Sequence, residues 1–142
     1  MNSPYDNYKQ QSVMTMTQGE MLVKLYDEVI KQMSGACRSI GEKDYPQTNE
    51  ALKKVQLILG YLDSTLDRRY GVSAGLSSLY DFFIRQTVTA NVKKDAALLE
   101  EIIPLITELR DTFVQAEKLA RMSQTTSRAT YNLGGAVMSA VG

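Results

Sequence analysis

The stretch between residues 52 and 66 limits the fold most. Leu52, Val55, Leu59, Leu62 and Leu66 recur at alternating steps of three and four. That spacing places them on one stripe of an α-helix, and a strict stripe of this kind is the seam of a helix packed lengthwise against other helices. Leu57 and Ile58 add a side row that widens the apolar face. Little interrupts such helices elsewhere, because the 142 residues include only three prolines and nine glycines.

The flanking segments repeat the pattern. Thr17 followed by Glu20 is a capping box, in which the hydroxyl satisfies an orphan amide and the carboxylate reaches back. A helix is therefore expected from about Gln18, with Met21, Leu22, Leu25, Tyr26, Val29, Ile30, Met33, Cys37 and Ile40 at helical spacing and Gly41 as its stop. Asp44 with Gln47 forms a second box, and Pro46 lies in the first turn, where its missing amide costs little. This second helix is expected to fail near Tyr70 and Gly71. Ser73 is the expected cap of a third, carrying Leu76, Leu79, Tyr80, Phe83, Thr87 and Ala90, widened by Ile84 and Val88 and ending over Asn91–Lys94. Asp95 is the expected cap of a fourth, whose apolar positions run from Leu98 and Leu99 through Ile102, Ile103, Leu105, Ile106, Leu109 and Phe113 to Ala116 and Leu119. Pro104 inside that run predicts either a kink or a late start.

The reading is all-α, an antiparallel up-down four-helix bundle over residues 17–122. A mobile N-terminal arm precedes it over residues 1–16, and residues 123–142 form a tail. The tail loses almost all charge and is rich in Ser, Thr, Gly and Ala. It reads either as flexible or as docked through Tyr131, Leu133, Val137 and Met138.

Charge and composition exclude several function classes. Lys and Arg number 16, as do Asp and Glu, so the net charge is zero. No basic run is present to neutralise phosphates, which argues against nucleic acid and against an anionic membrane surface. No stretch approaches a membrane span, and the opening MNSPYDNYKQQ lacks the apolar core of a signal peptide. A single cysteine implies a reducing compartment, and the expected location is the cytoplasm.

Catalytic and metal sites are not expected, and neither is a cofactor. Without histidine, the Glu-x-x-His pairs of di-iron bundles cannot form, and zinc would lack ligands. The usual base of serine and cysteine hydrolases is missing too, as is a glycine-rich phosphate loop. Glu100 and Glu101 read as a solvated face, and Cys37 reads as a buried structural thiol. What remains is surface. The second and fourth helices carry more apolar residues than one seam needs, which reads either as a thick core or dimer contact, or as a groove that accepts a client's amphipathic helices.

The run YKQQSVMTMTQGEMLVKLYDEVI resembles the opening of the flagellin export chaperone family FliS: a tyrosine in a Gln-containing arm, a Thr/Ser-x-Gly-Glu cap, then Leu-Tyr-Asp. Here these are Tyr8, Thr17, Gly19, Glu20, Leu25, Tyr26 and Asp27, with Gln18 where the family usually has proline. LSSLYDFFIRQTVTANVKKD is similar to the family's third helix, with Tyr80, Asp81, Ala90, Asn91 and Asp95 in step and Phe82 in place of a second tyrosine. LLEEIIPLITELRDTF resembles its last helix, with Phe113 where tryptophan is frequent. The ordered set spans about residues 5–120.

The resemblance implies a cytoplasmic export chaperone that binds the C-terminal segment of flagellin. It would block premature polymerisation and deliver the client to the flagellar type III export apparatus. It also implies an arm that can lie over part of the client groove. On this reading Tyr8 and Gln11 act in the arm, and Tyr26, Leu57, Ile58, Tyr80, Ile84 and Asn91 line or shape the groove. The tyrosines can equally be core residues whose hydroxyls meet a polar partner, and Asp81 and Arg85 can simply pair with each other. The competing function is a helical adaptor for another secreted substrate, or a homodimeric regulatory bundle.

Overall fold

The computed structural model describes the backbone over residues 17–141 and the side chains over residues 17–123. The described residues form four helices: α1 (Gln18–Gly41), α2 (Tyr45–Ser64), α3 (Val72–Lys93) and α4 (Ala96–Val141). Each packs on its sequence neighbour, and α1 also packs on α4, which closes a four-helix bundle. Cross-helix pairs give the directions. Thr17, Asp27 and Cys37 on α1 meet Glu117, Arg110 and Ala96 on α4. Numbers rise on one helix as they fall on the other, so the two run oppositely. Asp63 with Ser77, and Asn49 with Lys94, show the same for α2 and α3.

The expected stripes form the core. Tyr26, Val29, Met33 and Ala36 from α1 meet Ala51, Leu52, Val55, Leu59 and Leu62 from α2. Tyr80, Phe83 and Ala90 from α3, with Leu99, Ile102 and Ile106 from α4, complete it. Each large side chain among them contributes about 1.5–3 kcal/mol by leaving water.

Three helix starts follow the capping chemistry. Thr17 Oγ1 accepts from the Glu20 amide at 3.1 Å. The Glu20 carboxylate does not complete the box but lies 3.7 Å from Arg121. Asp44 accepts from the Gln47 amide, with Pro46 in the first turn. Asp95 accepts from the Ala97 amide at 3.0 Å. Lys94 ends α3 in the left-handed region, φ 52°. Its ammonium donates to Asn49 Oδ1, Asn91 O and Asn91 Oδ1, which secures that turn.

Other expectations are corrected. α2 stops at Ser64, short of Tyr70 and Gly71. The Ser64 and Thr65 hydroxyls donate to the Tyr61 and Leu62 carbonyls, competing with the next turn. Asp67 then gathers the Arg69 amide and guanidinium, and that guanidinium holds its carboxyl below the usual range. Ser73 does not cap α3. It lies inside the helix, buried, and donates to the Asp67 carbonyl, while the start at Gly71 has no side-chain cap. α4 begins at Ala96 and contains Pro104, so the late start does not occur. Leu79, Leu105, Ala116 and Leu119, expected on apolar stripes, are exposed. α4 continues as helix to Val141, whereas the docking of Tyr131, Leu133, Val137 and Met138 lies outside the described side chains.

Candidate functional site

The seam between α1 and α2 is closed at one end and open at the other. Where the two helices join through residues 42–44, small residues face each other: Ala36 and Ser39 on α1, Thr48 and Ala51 on α2, all buried. The Ser39 and Thr48 hydroxyls bond directly across the gap. At the far end the facing side chains are larger and leave a groove. Gln18, Gly19, Met21, Leu22 and Leu25 from α1 and Tyr61, Leu62 and Thr65 from α2 line a groove of about 470 Å³. Leu57 is not part of that lining but lies one helical turn before Tyr61 on α2. Leu57 is 74% exposed and Tyr61 52%. A leucine so exposed gains little from the fold.

The expected site residues divide into three sets. Leu57 and Ile58 are adjacent on α2, Leu57 in solvent and Ile58 half-buried against the core. Tyr26 and Tyr80 line no surface. Both are buried, and their hydroxyls bond to each other across the bundle. The Tyr26 ring stacks on Phe113, centroids 5.4 Å apart. Burial raises both phenols above their ordinary pKa. Together they brace α1 against α3 and α4. The third set is on α3. Ile84 packs on the core and also lines a shallow depression with Phe82, Arg85, Gln86, Val88 and Thr89. Asn91 is engaged by the Lys94 ammonium. Tyr8 and Gln11 lie outside the described residues. Asp81 and Arg85 pair at 2.9 Å, both well exposed.

Met21, Leu22, Leu25 and Tyr61 were not read as groove residues. Their signal was present in the sequence: the apolar row of α1 is bulkiest at its start and thins to Ala36 and Ser39. Periodicity alone cannot tell a side chain that fills a seam from one that lines a groove.

The thiol of Cys37 is half-buried, not buried as expected, and burial raises its pKa, which disfavours the thiolate. Among the described residues no group of three or more His, Cys, Asp or Glu could hold a metal ion. No helix among them is long and apolar enough to cross a membrane. The arrangement offers apolar surface and hydrogen-bonding rims rather than reacting groups.

Comparison with known proteins agrees with the resemblance. The family model for flagellar protein FliS matches residues 1–120. The chain is 37% identical over 116 residues to the flagellar secretion chaperone FliS of Bacillus subtilis (strain 168), covering 82% of this chain and 87% of that protein. It is 27% identical over 116 residues to the flagellar secretion chaperone FliS of Salmonella typhimurium, covering 80% and 86%.

Proposed function

The chain belongs to the flagellar protein FliS family, and from that premise we propose that it is a flagellar secretion chaperone that holds the C-terminal segment of flagellin in the cytoplasm. The observation that carries this reading is the α1–α2 groove, with Tyr61 exposed in its wall and Leu57 exposed one helical turn before it. Flagellin's terminal region is amphipathic and must stay unpolymerised before export. A groove with apolar walls covers that face, while ordering of the client offsets part of the gain and keeps release to the export apparatus accessible. No bond is made or broken in such a task.

The N-terminal arm enters at Thr17, beside the groove walls Gln18 and Gly19. On this reading residues around Tyr8 to Val13 cover the apolar groove until a client displaces them. Deleting residues 1–14 then raises flagellin affinity or lowers solubility, and a variant unchanged in both contradicts the arm's role.

Calorimetric titration with a peptide of the flagellin C-terminal region tests the main reading. One-to-one binding, micromolar or tighter, with a negative heat-capacity change is expected from apolar burial. Absence of heat and of co-elution contradicts it. The apolar side chains of Phe82, Val88 and Val92 on α3 favour a second reading, a homodimer through that face. Its mark is a mass that rises with concentration without any flagellin binding.

A further inference from the structure

The Thr17-x-Gly19-Glu20 sequence does more than begin a helix. Thr17 Oγ1 accepts from the Glu20 amide and donates to Glu117 Oε1 at 3.0 Å. Glu117, midway along α4, keeps only 13% of its side chain exposed. A Cβ on Gly19 would fall 1.8 Å from Glu117 Oε2 and 2.8 Å from its Cδ. Only glycine leaves the notch in which this carboxylate sits. Arg121, one turn further along α4, lies 3.6 Å from Glu117 and 3.7 Å from Glu20, closing the cluster. The first turn of α1 is thus clamped to α4 from one side, while on its other side the same turn supplies Gln18, Gly19, Met21 and Leu22 to the groove.

We propose that Glu117, seated in the Gly19 notch, is a positioning residue for client binding: it fixes the first turn of α1, and so the wall at the open end of the groove. The proposal rests on the reading that this groove holds the client. The first turn of any helix has unpartnered amides and frays readily. Here it must also carry one wall of a binding surface, so a frayed turn would have to be ordered again each time the client binds. The clamp removes that cost before binding. It acts through Thr17 and Gly19 and does not require Glu117 to touch the client.

Two variants break the clamp differently. Glu117→Ala removes the carboxylate, and Gly19→Ala fills its notch and pushes out only the flexible end of a side chain. Each is expected to weaken binding of the flagellin C-terminal peptide by roughly fivefold or more, the usual scale of coupling between linked sites. Each should also speed amide exchange at residues 18–22 while the bundle's midpoint of unfolding moves little. The double variant should bind no worse than either single one, because both remove the same contact. Glu117→Gln, which keeps the acceptor for Thr17, should restore most of the affinity. Wild-type affinity in both single variants overturns the proposal. So does weakening by Glu117→Ala alone, which would mean that the carboxylate meets the client directly. A wild-type chain that binds no flagellin peptide overturns the functional reading itself, and the positioning role with it, and so separates the two failures.

Discussion

The two ends of the α1–α2 seam are built from the same pair of helices and do opposite things. At the closed end Ala36, Ser39, Thr48 and Ala51 let the backbones approach, and a buried hydroxyl pair seals them. At the open end Leu22, Leu25, Tyr61 and Leu62 line a groove. Side-chain volume, more than hydrophobicity, separates the closed seam from the open groove here. The closed end stabilises the bundle, so the open end can keep apolar groups exposed without loss of the fold.

Enlarging the closed end should produce the largest effect on stability. Ala36→Leu forces a branched side chain between helices in close contact and is expected to cost about 2–3 kcal/mol. Urea unfolding would measure it, and a neutral result would mean that the closed end is as loosely packed as the open one.

The bracing beneath both ends is next. Tyr26→Phe leaves the Tyr80 hydroxyl buried without its partner and should cost about 1–2 kcal/mol. Adding Tyr80→Phe should restore part of that loss, whereas strictly additive losses would show that the two hydroxyls are independent. The same pair sets an alkaline limit. Burial is the main cause that raises both phenols above the free value of 10.0. The unfolded chain releases these protons near pH 10 while the fold retains them. The stability they confer is therefore complete below about pH 10 and falls as pH rises beyond it. The double phenylalanine variant should lose that sensitivity.

Much of this architecture was legible in the sequence. The three-four spacing of Leu52 to Leu62 gave a buried face, and Thr17, Asp44 and Asp95 marked helix starts, because caps and stripes are local. Ser73 looked like the same signal, but its hydroxyl was drawn to the Asp67 carbonyl across a loop. The end of α2 was misplaced because Leu66 continues the stripe after Ser64 and Thr65 have turned the backbone. Among the site residues, Leu57 was recognisable as surplus to one seam. Tyr26 and Tyr80 were not distinguishable from groove residues, since their pairing joins two helices on opposite sides of the bundle. Glu117 carried no local signal, and its partner Gly19 gains meaning only once α4 lies against it.

On the proposed function the client is held at the open end and not elsewhere on the apolar surface. This placement is tested most directly by titrating the flagellin C-terminal peptide into two matched variants, Leu57→Asp one helical turn before Tyr61 and Val92→Asp on α3, where Val92 is 80% exposed. Both substitutions are in solvent and should change stability by less than about 0.5 kcal/mol. Leu57→Asp should lose most of the affinity and Val92→Asp should keep it. Equal binding by both variants, or a loss confined to Val92→Asp, would contradict this placement.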